Sequence, residues 1–72
     1  MRALWRKGRE LREPPDSLSV AQKAFWDWGP MQFPEAAWSA RQAMVPTGLS
    51  HRGARRVLKQ LERQGLLRRH GT

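Results

Sequence analysis

The stretch SHRGARRVLKQLERQG, residues 50–65, carries the clearest structural signal in the 72-residue chain. Ser50 can cap the first turn of a helix, because its side-chain oxygen can accept a backbone N–H there. Gly65 can take the left-handed conformation that closes a helix, and Leu66 after it can then pack back onto the last turn. These residues therefore predict a capped helix over residues 50–64.

This helix is predicted to be apolar on one face and cationic on the other, since residues three and four apart share a face of a helix. Apolar side chains of modest size suit packing against other helices, whereas a helix that lies on a membrane needs larger apolar groups for insertion. We therefore expect no membrane partner. The apolar face contains Ala54, Val57, Leu58 and Leu61, and the cationic face contains Arg52, Arg56, Lys59 and Arg63, with Arg55 at its edge.

The net charge of +8 is concentrated toward the two ends of the sequence. Residues 1–13 contribute +3, residues 14–50 contribute −1 and residues 51–72 contribute +6. Neutralising phosphates releases condensed counterions and supplies much of the free energy of nucleic-acid binding. This distribution favours a polyanionic partner, and the alternative is an ordinary solvated helix face.

The composition argues against several classes of protein. Seventy-two residues allow one domain with a small core. The absence of cysteine excludes disulfides and thiolate zinc sites, and His51 and His70 are isolated, so we expect neither a metal nor a cofactor. The acidic residues are scattered and no phosphate-binding glycine loop occurs, so we expect no enzyme. No apolar run approaches the roughly 18 residues of a membrane span, and no secretory signal is recognisable, which favours the cytoplasm.

Residues 1–16 are expected to form a basic N-terminal arm, either a short helix or a flexible tail, ahead of a domain over residues 17–72. Pro14-Pro15 blocks continuation of a helix and marks the boundary. Trp5 could stack on bases, but a tryptophan more commonly fixes such a segment to its own domain. The cations expected to contact the partner from this arm are Arg2, Arg6, Lys7 and Arg9.

A first helix is predicted over Val20–Trp28, with Ser19 and Gln22 forming a capping box at its start. Gly29 should end it in a left-handed conformation, before a proline that cannot continue the helix. Trp26 falls off the predicted inner face, so we expect it to be exposed or at a subunit contact. That inner face is expected to contain Val20, Ala21, Ala24, Phe25 and Trp28.

The segment Met31–Phe33 alternates apolar and polar residues between two prolines, which predicts a brief strand. Pro34 and Glu35 suit the first turn of a second helix, and this helix would run to about Met44. Leu66–Arg69 predicts another short strand, which could pair with the first one.

The segment TGLSHRGARRVLKQLERQGLLRR, Thr47–Arg69, resembles the winged helix-turn-helix domains of bacterial and phage transcriptional regulators. It combines a turn that contains glycine, a capped basic helix and an exit through glycine and leucine into a strand. The resemblance implies a mainly α fold with a minimal β element, in which three helices are followed by a short or incomplete wing, since the printed sequence stops at Thr72. In such domains the third helix enters the major groove of duplex DNA, and the wing contacts the backbone or the minor groove.

The function implied by the resemblance is sequence-specific binding of double-stranded DNA by a small regulator of the phage or plasmid type. A repressor and an accessory factor in recombination or replication would look alike in sequence. The residues implied to bind DNA are Ser50, His51, Arg52, Arg55, Arg56, Lys59 and Arg63 on the third helix, and Arg68 and Arg69 in the wing.

Two other functions also fit the sequence. One is a protein-interaction module that binds or inhibits the transcription machinery, because Trp5, Trp26 and Trp38 lie outside the obvious core. The other is RNA binding through the arginine-rich ends. We also expect a homodimer, since small winged-helix domains commonly gain specificity by placing two copies on adjacent half-sites. Its candidate surface is the N-terminal arm with Trp26 and Trp38.

Overall fold

A computed structural model describes residues 3–8 and 18–70 of the chain. These residues form three helices and one three-stranded antiparallel sheet, so the expected three helices are confirmed and the β element is larger than expected. The strands follow the order β2-β1-β3 across the sheet. In chain order the elements are β1 (Leu4–Lys7), α1 (Val20–Trp28), β2 (Ala37–Trp38), α2 (Ala40–Thr47), α3 (His51–Arg63) and β3 (Leu67–His70).

The N-terminal residues supply the central strand of the sheet. Leu4–Lys7 pairs with β2 on one side and with β3 on the other, and Trp5 is only 1% exposed. The expectation of a short helix or flexible tail is therefore wrong for these residues, because pairing partners on both sides hold them extended. Trp5 does fix the segment to its own domain. The expected boundary at Pro14-Pro15 lies outside the described residues.

The strand predicted near the C-terminal end is confirmed, but its predicted partner is wrong. Leu67–His70 pairs antiparallel with Leu4–Lys7. The segment 31–33 forms a turn, because the N–H groups of Gln32 and Phe33 both return to the carbonyl of Gly29. The partner of β3 is thus β1, from the N-terminal part of the chain.

Helix α1 has the predicted bounds and the predicted capping box, in which Ser19 and Gln22 each bond to the backbone of the other. The buried face of α1 is rotated about the helix axis relative to the predicted inner face. Val20 is 89% exposed, whereas Gln22, Phe25 and Trp26 are buried at the spacing of one helix face. The expectation that Trp26 would be exposed is therefore wrong, since this large ring fills the core in place of Val20.

Gly29 follows α1, but not in the predicted left-handed conformation. Its φ is −111°, in the right-handed region that any residue can adopt. A Cβ built at this position would lie 3.0 Å from Cε2 of Trp38. The glycine therefore permits the close approach of this tryptophan, and it is not required by the turn itself.

Helix α2 begins later than predicted. Pro34 and Glu35 precede β2, and the helix starts only after Ser39, whose capping box with Gln42 repeats the arrangement of α1. The helix also continues through Pro46 to Thr47. The end predicted near Met44 is therefore wrong. Pro46 has no N–H to donate, but the last turn continues through the bonds of the Thr47 hydroxyl to the Ala43 carbonyl at 2.7 Å and of the Gly48 N–H to the Met44 carbonyl at 3.0 Å.

The core lies between the three helices and one face of the sheet. The ring of Trp38 packs edge-on against Phe25, with their centroids 5.8 Å apart. Trp38 is 4% exposed and Trp26 is 1% exposed, so neither can form the expected dimer surface. A homodimer stays a prediction, without a surface assigned to it. The other buried apolar residues are Trp5, Ala40, Ala43, Ala54, Val57, Leu58, Leu61, Leu66 and Leu67.

Candidate functional site

Helix α3 has the ends predicted from its sequence. The Ser50 side chain accepts the N–H of Gly53 at 3.3 Å. At the other end Gly65 has φ +80°, and the N–H of Leu66 returns to the carbonyl of Leu61 at 3.0 Å. These bonds satisfy backbone groups that a helix end otherwise leaves unpaired. The helix is thus fixed in length at both ends, and its four predicted apolar residues are all buried.

The opposite face of α3 carries five exposed cations, which we call the cationic stripe. They line an open depression on the surface, together with Gln60. Among the described residues the one ion pair joins Lys23 to Asp27 on α1, at 2.8 Å. The stripe is therefore not neutralised by the described carboxylates, and its positive potential faces the solvent. Its members are Arg52, Arg55, Arg56, Lys59 and Arg63.

The single acidic residue of α3 is directed away from the stripe. Glu62 is half-buried, and its Oε1 accepts the indole N–H of Trp5 at 2.9 Å. Among the described residues the carboxylate therefore forms no ion pair with a cation of the stripe. The five cations stay available to a ligand.

A second polar contact fixes the other flank of α3. The side-chain amide of Gln22, which is buried on α1, donates to Oε1 of Gln60 at 2.6 Å. At 3.6 residues per turn, Gln60 and Glu62 lie on opposite edges of the stripe. One is held by α1 and the other by β1, so the two contacts together resist rotation of α3 about its own axis.

The first residues of α3 are accessible, as the resemblance implied. Ser50 and His51 are both exposed at the start of the helix. The Ser50 hydroxyl accepts the N–H of Gly53, and its own proton stays available to donate to a further partner without loss of the cap. The positive end of the helix dipole adds to the attraction of an anion at this point.

The cations of the sheet do not share one surface. Arg6 lies directly opposite Arg68 on the face away from the core, and Arg6 also donates to the carbonyl of Glu35 at 3.0 Å. Arg69 lies opposite Trp5, and therefore projects toward the other face, although it is exposed at the edge strand. Lys7 is half-buried opposite Leu67. Arg2 and Arg9 of the expected arm are outside the described residues.

The sequence interpretation missed the two flanking contacts. Gln22 was identified as a capping residue, but its second bond to Gln60 joins residues 38 positions apart. The bond between Trp5 and Glu62 spans 57 positions. No local pattern could have indicated either pair, because both depend on how α1 and β1 pack around α3.

The described part of the chain contains no group of three or more histidine, aspartate or glutamate side chains arranged to hold a metal ion. None of its helices combines the length and apolar character needed to span a membrane.

Comparison of the chain with protein-family models, curated proteins and solved structures found no match. The function is therefore judged from the shape and charge of α3 and its surroundings.

Proposed function

We propose that this chain is a winged helix-turn-helix protein that binds double-stranded DNA with sequence specificity, through α3 in the major groove. The observation that carries this proposal is the cationic stripe, in which one 13-residue helix exposes five cations while its opposite face is buried in the core. The major groove is about 12 Å wide and admits an α-helix. The stripe supplies the charge that such a contact requires.

The elements around α3 are compatible with this role. Helices α2 and α3 are separated only by residues 48–50, and Gly48 adopts φ +68° where the chain turns. This geometry joins two helices by a short turn, as the resemblance implies. Strands β3 and β1 stand in the place of the wing, with β1 contributed from the N-terminal part of the chain.

We assign base reading to Arg52 and Arg56. Both lie opposite the buried face of α3 and within its first two turns. Arginine can donate two parallel hydrogen bonds to the O6 and N7 atoms of guanine, which distinguishes this base from the other three. The remaining stripe residues and Arg68 are assigned to phosphates, because these contacts position the domain without reading sequence.

The first test measures binding to duplex DNA as a function of salt concentration. A duplex selected from a random pool should bind with an affinity that falls steeply with salt, and Arg63→Ala should reduce the slope of log affinity against log salt by about 0.9. Lys23→Ala removes the same charge from α1 and serves as the matched control. Affinity that is insensitive to salt, or an equal change of slope in both variants, contradicts the proposal.

The second test separates base reading from phosphate contacts. Arg52→Ala and Arg56→Ala should each cost about 1–3 kcal/mol on the selected site and relax the preference at one base position. Arg68→Ala should weaken binding to all duplexes about equally. The placement of α3 in the groove is wrong if all three variants lose the same affinity on selected and scrambled duplexes.

The alternative of a protein-interaction module depended on tryptophans expected to lie outside the core. The three tryptophans that favoured it are Trp5, Trp26 and Trp38, and all are buried. RNA binding through the arginine-rich ends stays an alternative, although Arg6 and Lys7 of the N-terminal end belong to a central strand and not to a flexible arm. Competition of labelled duplex DNA with structured RNA and with random single strands decides between the nucleic acids.

A further inference from the structure

Gln60 is the single uncharged residue among the six that line the depression on α3. It lies at the edge of the cationic stripe, one turn after Arg56 and next to the buried Val57 on the helix surface. Its side chain is not free to rotate, because Gln22 holds its amide oxygen at 2.6 Å. A buried residue therefore holds the exposed amide of Gln60 in one orientation.

The direction of this hydrogen bond follows from the capping box of α1. The backbone N–H of Ser19 can only donate, and it reaches the Oε1 of Gln22 at 3.1 Å. The amide of Gln22 must therefore present its Nε2 to Gln60, where Oε1 accepts. This leaves both N–H groups of Gln60 Nε2 without an acceptor among the described residues. The orientation of Gln60 is thus set by the cap of a different helix.

We propose that Gln22 orients Gln60 as a neutral hydrogen-bond donor to a phosphate oxygen of bound duplex DNA. This inference rests on the proposed function. It assigns a ligand to Gln60, the one uncharged residue that lines the depression. A phosphate oxygen is favoured over a base edge because Gln60 lies at the border of the stripe, whereas Arg52, which we assign to base reading, lies nearer its centre. Groups at the border of a helix in the major groove are closest to the sugar–phosphate backbone.

A neutral donor has a signature that distinguishes it from the arginines. It releases no counterion, so it contributes to affinity without contributing to the salt dependence. A phosphate contact is also independent of sequence. Gln60→Ala should therefore lower affinity roughly five- to tenfold on selected and scrambled duplexes alike, with an unchanged salt slope. Unchanged affinity, or a loss restricted to one base position, overturns the assignment to phosphate.

The role of Gln22 is tested by Gln22→Glu. Glutamate at this position preserves the capping box, since its carboxylate can still accept the N–H of Ser19. It has no N–H to donate, so the Gln60 amide must turn over and direct its oxygen toward the phosphate. Affinity should fall by at least as much as in Gln60→Ala. Gln42→Glu, at the exposed matching position of the α2 capping box, controls for the effect of this exchange on the cap itself.

The added negative charge of Gln22→Glu is separated from the reorientation by a double-mutant cycle. In the Gln60→Ala background the substitution retains only its charge effect, so its cost should be smaller than in the wild-type background. Equal costs in the two backgrounds overturn the positioning role of Gln22. Wild-type protein that fails to bind duplex DNA at low salt overturns the proposed function itself. Wild-type binding that Gln60→Ala leaves unchanged overturns this inference alone.

Discussion

Replacing Trp5 by alanine tests whether the N-terminal strand belongs to the folded core. A buried tryptophan removes about 150–250 Å² from water, which at about 25 cal/mol per Å² corresponds to roughly 4–6 kcal/mol. Measured costs of truncating large aromatic residues fall in a similar range of about 3–5 kcal/mol. The substitution also leaves the half-buried Glu62 carboxylate without its indole donor. A loss of about 4 kcal/mol or more is expected.

This loss is large compared with the total stability of such a domain, which is roughly 4–11 kcal/mol for a chain of this length. Thermal unfolding followed by circular dichroism should show a melting temperature lowered by roughly 20 °C, or no cooperative transition. Arg6→Ala is the matched control, since Arg6 is the next residue of the same strand and is exposed on the outer face. It should change stability by about 1 kcal/mol or less, because it removes only an exposed hydrogen bond to the carbonyl of Glu35. Similar small effects of both substitutions would refute the central position of β1.

Three further substitutions test the packing and the capping of the helices, and urea unfolding measures each of them. Gly29→Ala should destabilise the fold by about 1–3 kcal/mol, because its Cβ would lie 3.0 Å from the buried ring of Trp38. Gly53→Ala should stabilise it by about 0.5–1 kcal/mol, because the glycine lies inside α3 and the new methyl group requires only a shift of a few tenths of an ångström from the Cβ of the exposed Leu49, which lies 3.1 Å away. Ser39→Ala should cost about 1 kcal/mol through loss of the α2 cap.

The two glycine substitutions control for each other, since they make the same chemical change in different surroundings. A stabilising effect at Gly29 would mean that the Trp38 ring can withdraw from this position. A destabilising effect at Gly53 would mean that Leu49 is held more firmly than its exposure indicates. If Ser39→Ala had no effect, the start of α2 would depend on packing alone.

Helix α3 could be predicted from sequence because its determinants are local. Its cap, its closing glycine and its two faces lie within residues 50–66, and each acts through neighbours a few positions away. The same is true of the start of α1. The start of α2 could have been predicted in the same way, because Ser39 and Gln42 repeat the capping pattern of Ser19 and Gln22.

The sheet could not be predicted in the same way, because strand pairing depends on partners distant in sequence. Leu4–Lys7 contains only one fully buried residue, Trp5, followed by two cations. A solvated segment can show the same pattern. Val20 and Trp26 illustrate a related problem. Both fit a helical face, and only the packing of α1 against α2 and α3 determines which of them is buried.

The charges of the candidate site were visible in the sequence, but their arrangement was not. The exposure of the stripe follows from the periodicity of α3. The withdrawal of Glu62 toward Trp5 and the orientation of Gln60 by Gln22 depend on tertiary contacts. The sequence therefore predicts which cations are available to an anion. The structure adds the neutral amide of Gln60, which lies beside them.

The central position of β1 also has a consequence for the order of folding. The strand is synthesised early, yet its tryptophan bonds to a partner 57 positions later in the chain, and Arg6 bonds to one 29 positions later. Closing such long loops costs entropy before any contact compensates it, so these pairings are expected to form late. A nascent chain that ends before β3 can form its three helices but cannot complete the sheet around Trp5. Pairing of the second edge of this strand is therefore expected only after Leu67–His70 has left the ribosome.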